Sequence, residues 1–521
     1  MSLLARFIQG FIPIGLIAGI GLASFSAFGQ ADQSRIKGFG VDLVGRMPTS
    51  SENAEFTLVN IQSSGASFVR IELNWSEIEY VQDTYNWSAV RPLDQLVASA
   101  FEKELTIVAV LTGGPTYLAS PGGSIDRVAF GDRWEKFVGA AVGHYGEMIN
   151  IWEIGEDINT AYSQAGMLMP STPGAALQPD PVFYTKLLRS AAKIISRADP
   201  NDEVWIGSLV SPSAGDCAVN PLTYLLEIHG ARGWNSADAI SYQPAWGSAA
   251  PEFNAPGISS ACASTVTTNS SSMIGDIRSV QELARQLGGM PVYITSLGWN
   301  AGDLAVLAGN RSIQYSQVEA DMLARASISL MGADSVPLIF WNTDVTPQTS
   351  TANALSNLAD ALDTAKPIGQ VQGTTGPVQE FRFQKGANLK VFLWRTQDGD
   401  TGVPVGVSNL HPGSFLAYGI DMIVLNNHTG IPVSVDSSGT AVLGLNERPV
   451  LLTGKVGDLA TQAQSAITDQ LDIWQIQIGE LIRHGLNDAK AAFMDMLEEL
   501  FTQAKDKAVE WGEEQIDELL N

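Results

Sequence analysis

SFVRIELNW (Ser67–Trp75) is followed by PLDQLVASAFEKE (Pro92–Glu104) and then by LTIVAVLTGGP (Leu105–Pro115). An apolar run, an amphipathic stretch and a second apolar run make one strand–helix–strand unit. A helix as the connection leaves its two strands parallel. Outward from this unit the same alternation continues. IKGFGVDLVG (36–45) precedes it. NIWEIGEDIN (150–159), EVWIGSLVSP (203–212), ADAISYQPAW (237–246), PVYITSLGWN (291–300) and SVPLIFWNTD (335–344) follow. Helical patterns such as FYTKLLRSAAKIISRA, SVQELARQLGG and QVEADMLARASISLM lie between them. Eight strand-then-helix units over residues 36–366 predict an α/β fold, a (β/α)8 TIM barrel. A doubly wound open sheet competes with it. That fold normally carries a Gly-rich phosphate loop after its first strand, and GFGVDLVGRMP has no G-x-G-x-x-G.

Beyond the barrel the texture changes. VQEFRFQKGANLKVFLWRTQDGDTG alternates apolar and polar residues around a Gly-containing turn, as a β-hairpin does. GIPVSVDSSGTAVLGLNERPVLLTG continues that way, so residues 370–455 are expected to form a small β-sandwich domain. Residues 458–521 form a C-terminal segment with a helical pattern. Phe493, Leu497, Leu500, Ala504, Ala508 and Trp511 recur at helical steps with acids between them. Two readings stay open there: a helical hairpin docked on the protein's own body, or an arm for self-association or a protein partner.

The chain has 521 residues, with Lys+Arg 30 and Asp+Glu 55, a net charge of -25. Such a field repels nucleic acid and anionic lipid, and suits neutral ligands such as sugars. Residues 1–31 carry one Arg and a long apolar run. They read as an export signal cleaved after Ala27-Phe28-Gly29, or as an uncleaved N-terminal membrane anchor. Either way the body is expected outside the cytoplasm, secreted or membrane-tethered. Cys217 and Cys262 lie in loop-like stretches and are disulfide candidates there. No metal cluster, phosphate loop or nucleotide fingerprint appears, so no cofactor is implied.

In such a barrel the functional residues sit at the C-terminal strand ends. These are Asp42; Arg70, Glu72, Asn74 and Trp75; Thr112; Glu156, Asp157 and Asn159; Tyr242, Gln243 and Trp246; Ser296, Trp299 and Asn300; Trp341, Asn342 and Asp344. Aromatic faces stack on sugars, while amides and acids bind hydroxyls, so the set fits a glycan-binding cleft. Arg70, Asn74, Trp75, Tyr242, Gln243, Trp246, Trp299 and Trp341 are the expected substrate-binding residues. At least two of the four Trp are expected to act as stacking platforms. Arg70 and Glu72 share a strand face and are expected to form an internal ion pair.

The ordered motifs resemble those of clan A glycoside hydrolases, the retaining β-xylosidase and cellulase group. FVRIELNWSEIEYVQDTYNW resembles the clan's arginine-bearing strand with its W-S-x-I-E and Y-x-W elements. WEIGEDIN resembles W-E-I-G-N-E-P-N. ADAISYQPAW resembles D-A-I-S-x-H-P-Y, and VYITSLGWN resembles W-I-T-E-x-G-W. LIFWNTD carries the expected Trp, and RPVLLTG resembles the last strand of the accompanying sandwich. The resemblance spans residues 36–455. It implies two carboxyl groups flanking a scissile bond, one nucleophile and one acid/base.

Here the chain departs from the pattern. The ungapped match puts the acid/base Glu on Asp157, the Asn before it on Glu156, and the nucleophilic Glu on Ser296. Gln243 stands for the His. Periodicity puts Glu153, Gly155 and Asp157 on one face, and Val292, Ile294, Ser296 and Gly298 on another inward face. A serine hydroxyl does not attack an anomeric carbon without a base to activate it. Two functional readings follow. One is a glycan-binding or envelope-assembly protein with impaired catalysis. The other is an active hydrolase of β-linked glycans using non-standard carboxylates. In the second, Asp157 is the acid and Glu156, Glu72 or Asp344 the base of an inverting mechanism. A one-residue gap would instead put Glu156 at the acid/base position.

Overall fold

The computed structural model describes residues 36–118, 126–160, 179–211, 219–254, 272–309, 313–333, 336–371, 377–396, 402–410, 412–420 and 430–455. The N-terminal stretch 1–31, Cys217, Cys262 and the helical pattern of 458–521 lie outside the described residues. Among the described residues no helix is long and apolar enough to cross a membrane.

Eight parallel strands close a barrel in chain order. They are β1 Gly38–Asp42, β2 Phe68–Asn74, β3 Thr106–Thr112, β4 Ile151–Ile154, β5 Glu203–Val210, β6 Ala239–Gln243, β7 Val292–Leu297 and β8 Leu338–Trp341. The longer helices that follow the strands are α1 Ser51–Ser63, α2 Leu93–Glu102, α3 Arg127–Tyr145, α4 Pro181–Ala198, α5 Pro221–Gly230, α6 Met273–Gln286, α7 Ala301–Ala308, α8 Tyr315–Ala333 and α9 Ser350–Leu362. Several begin at a side-chain cap that takes up free N–H groups. Asp126 accepts from Val128 and Ala129, and Asp180 accepts from Phe183. Strand alternation sorts the side chains. Val69, Ile71 and Leu73 of β2 pack into the layer between strands and helices. Phe68 joins Val108, Ile151, Trp205, Ala239, Tyr293, Leu338 and Phe340 inside the barrel, which plugs the end away from the mouth.

Two strands gain an extra residue. On β5, Ile206 pairs with Ile240 and Leu209 with Tyr242, so β5 advances three residues while β6 advances two. On β7, Ile294 pairs with Ile339 and Leu297 with Trp341, again three against two. Each mismatch is a β-bulge, and bulges re-aim side chains beside functional clefts. They fall at Gly207–Ser208 and at Thr295–Ser296. The predicted facing of β7 is corrected accordingly. Val292 and Ile294 pack outward against the helices, and Tyr293 is the interior residue. Ser296 reaches the mouth only because the bulge shifts the phase.

The second part is antiparallel. β9 Lys366–Gln370, β10 Val378–Lys385, β11 Asn388–Arg395, β12 Val403–Val407, β13 Gly413–Gly419, β14 Ile431–Val435, β15 Ala441–Leu445 and β16 Val450–Lys455 form two sheets. One has the order β14-β13-β16-β11-β10-β9 and the other pairs β12 with β15. Val391, Leu393, Phe415, Leu443, Leu445 and Leu452 fill the space between them. The opposite face, with Phe381, Phe383, Phe392 and Trp394, joins the core of the barrel's helical layer. A polar clamp crosses this junction. Glu252, in the loop after β6, accepts from Trp394 Nε1 at 2.8 Å and from Arg325 Nε of α8 at 3.0 Å. Both charged partners are nearly buried, with side chains 3% and 8% exposed.

Candidate functional site at the C-terminal mouth of the barrel

Arg70 organises the mouth. It points inward from β2 and is 0% exposed. Its Nε and Nη2 reach Glu153 Oε2 and Oε1 at 2.7 and 2.9 Å, a two-pronged pair. Its Nη1 reaches Asp42 Oδ1 at 3.0 Å and Glu156 Oε1 at 3.4 Å. Burial alone would lower the guanidinium's pKa. The carboxylates of Glu153, Asp42 and Glu156 outweigh burial and hold it well above the ordinary value. The predicted Arg70–Glu72 pair does not form. Two residues apart on a strand point the same way without touching, whereas neighbouring strands bring their inward groups together. Glu72 instead accepts from Thr112 Oγ1 at 2.7 Å and from Asn74 Nδ2 at 3.2 Å. Asn74 also caps the helical turn that follows, accepting from the Ser76 N–H.

Glu156 opens to the mouth, with its side chain 25% exposed. Burial, opposed by Arg70 and reinforced by Asp157, Asp42 and Glu153, pushes its carboxyl up to about 8. Burial thus favours its protonated form. Gln243 Nε2 approaches the same oxygen at 3.5 Å. Asp157 follows in a left-handed conformation, φ 49, so strand alternation no longer governs its direction. Its N–H donates to Ser208 Oγ at 2.9 Å, and the Ser208 N–H donates to Glu153 at 3.0 Å. The β5 bulge thus supports both Asp157 and Glu153. Sequence reasoning did not find Ser208, and only the inward parity of Glu153 hinted at its partnership with Arg70.

Across the mouth, Ser296 Oγ accepts from Asn342 Nδ2 at 3.1 Å. Asp344 lies further out on the rim and is exposed, accepting from the Thr346 N–H and hydroxyl. Glu319 of α8 is a further acid near this side. Burial raises its carboxyl to about 7, against the pull of Thr343 and Arg46. Among the described residues no three His, Cys, Asp or Glu side chains converge as a metal-ligand set.

The aromatic expectation is corrected. Trp75 is fully buried, stacked on Phe137 and bonded to Glu79. Trp341 points outward, with Nε1 on Ser327 of α8. Tyr242 also points outward, and its hydroxyl meets Asp276 of α6. Trp246 and Trp299 are 3% and 6% exposed, and their Nε1 atoms hold the loop carbonyls of Phe253 and Ala249. None of the four Trp offers an open face. They anchor loops and helices around the mouth.

Comparison of the whole fold with solved structures gives a consistent answer. A family 39 glycoside hydrolase from the gut symbiont Bacteroides cellulosilyticus WH2 superposes with a TM-score of 0.58 at 18% identity, over 80% of each chain. The fold is that of clan A glycoside hydrolases. A GH30 endoxylanase from Clostridium papyrosolvens C71 matches at TM-score 0.50 and 12% identity, over 81% of this chain and 97% of that one. A conserved exported protein from Bacteroides fragilis matches at TM-score 0.52 and 10% identity, over 80% and 97%. No family model and no curated protein matches the sequence. What these glycoside-hydrolase barrels share with the chain is architecture.

Proposed function

We propose that the protein is an exported glycan-binding barrel, secreted or membrane-tethered, whose retaining chemistry has been displaced. One observation carries this reading. The β7 end presents Ser296, hydrogen-bonded to the neutral amide of Asn342, where a retaining hydrolase needs a nucleophilic carboxylate. Among the described residues the partner of that hydroxyl is a neutral amide and not a base. The polar mouth and the shared fold support a glycan as ligand. The apolar stretch 1–31 supports export, as does the likeness to an exported protein. In this reading Cys217 and Cys262 pair outside the cytoplasm, and 458–521 is an arm for self-association or a protein partner.

A second reading is favoured by Glu156. A carboxyl whose protonated form burial favours is a general acid, and inward-facing Glu72 would serve as the base of an inverting hydrolase. One experiment separates the two. The full-length protein is incubated with a panel of β-linked oligosaccharides, and bound ligand and released product are read in the same mass-spectrometric run. Ser296→Glu with Asp157→Glu runs beside it. Binding without product, with turnover gained in the double variant, is expected. Product from the unaltered protein, lost in Glu156→Gln, would establish the hydrolase instead.

A further inference from the structure

Glu156 and Asp157 ride on a short loop that leaves β4 and returns to β5. The β4–β5 ladder ends at the rung of Ile154 and Ile206. On that rung a side chain from the helical layer takes up two backbone groups. Tyr184, in the first turn of α4, donates its hydroxyl to the Ile154 carbonyl at 2.8 Å. The same hydroxyl accepts from the Gly207 N–H at 2.8 Å. Tyr184 is 5% exposed, and burial pushes its phenol up, so the hydroxyl keeps its proton. Gly207 permits the close approach. A Cβ there would stand 2.1 Å from the Ile154 oxygen and 2.4 Å from that of Gly155.

Past the rung the two strands part. The Gly155 N–H turns to the Leu111 carbonyl of β3 at 3.0 Å. Contact with β5 resumes where the Ile158 N–H donates to the Ser208 carbonyl at 2.9 Å. The β4 side thus advances four residues, 154 to 158, while β5 advances two, 206 to 208. Gly155 and Asp157 take positive φ, 86 and 49, to make the detour. The far foot is also fixed. Ser208 Oγ accepts from the Asp157 N–H at 2.9 Å, and Thr160 donates its N–H and hydroxyl to the Asp157 carbonyl at 2.8 and 2.9 Å. The groups that face Glu156 are Asp42 of β1, Arg70 of β2, Glu153 and Asp157 beside it, and the neutral amide of Gln243 on β6. A shift of either foot changes what its carboxyl faces.

We propose that Tyr184 is a positioning residue of the mouth: from the helical layer, its hydroxyl fixes the near foot of the 155–157 loop and with it the place of the Glu156 carboxyl. The test is the titration of Glu156 in the full-length protein carrying 13C-labelled glutamate, followed by carboxyl NMR. Glu156→Gln identifies the resonance by its loss. In Tyr184→Phe the ring stays and the tie goes, so the loop should open to water. The proton affinity of Glu156 should then fall about tenfold, toward that of an ordinary carboxyl. Ser208→Ala, which frees the far foot, should shift it the same way. A tyrosine that only packs α4 would lower stability and leave the titration in place, and that result in a folded Tyr184→Phe would overturn the proposal. Hydrogen exchange in the unaltered protein decides even if the variant does not fold. The amides of Gly207, Asp157 and Ile158 should exchange at least about tenfold more slowly than those of the exposed rim residues Tyr80 and Val81. Exchange of Gly207 as fast as the rim would overturn the tie directly. The loop has the same place in a mouth that binds and in one that cleaves, so failure here leaves the glycan reading standing.

Discussion

On the β2–β4 side of the mouth, Arg70 is wholly buried and spans Asp42, Glu153 and Glu156; on the β7–β8 side, Ser296 and Asn342 share one neutral hydrogen bond. The difference teaches which half can change. Buried charges are costly to leave unpaired, so the first half is locked by its own electrostatics. The second half holds small polar groups that trade places at little cost. Substitutions on the β7 side should therefore leave the charged scaffold around Arg70 intact.

The largest effect should come from the locked side. Arg70→Met should lower stability by about 3–5 kcal/mol, because Glu153 and Asp42 would keep buried charges without a counterion. Urea unfolding checks this, and a loss under about 1 kcal/mol would break the contrast. A pH series sharpens it. Glu156 has its carboxyl raised from 4.5 to about 8, so the folded state holds a proton that the unfolded chain has released. Stability should therefore fall as pH rises from about 4.5 to about 8, by at most about 1.4 kcal/mol per unit, and flatten above. In Glu156→Gln that part of the slope should vanish. Trp394→Phe, which removes a donor to the Glu252 carboxylate, should cost about 1.5–3 kcal/mol. The smallest change belongs to the neutral side. Ser296→Ala should cost about 0.5–1.5 kcal/mol, read from the same urea midpoints. A larger loss there would mean that β7 is as constrained as β2.

The barrel was legible because its signal is repetitive. Each apolar run, with an amphipathic stretch after it, told the same story, and together they left little choice of architecture. The site was harder to read because its geometry depends on exceptions to alternation. The bulge at Thr295–Ser296 adds one residue, and simple counting then misassigned Val292 and Ile294 while still bringing Ser296 inward. The left-handed Asp157 likewise ended strand parity at the acidic pair of β4, and Glu156 is the residue that meets Arg70. Trp residues at strand ends looked like sugar platforms. Sequence position alone does not say whether a strand-end ring faces the mouth or the helices, and Trp341 faces the helices. The Arg70 partners lie on β1 and β4, a closeness that only the closed barrel creates.

The shared carboxylate of Glu252 has a consequence for how the molecule comes apart. It stands in the loop that leaves β6 beside the mouth, yet it is held by a barrel helix through Arg325 and by the sandwich through Trp394. Peeling the sandwich away would strip Glu252 of a donor and expose Phe381 and Phe383, which press on Gly332 of α8. The two architectures thus behave as one cooperative unit: they should melt in a single transition, and a chain cut near residue 365 should not leave a free-standing barrel.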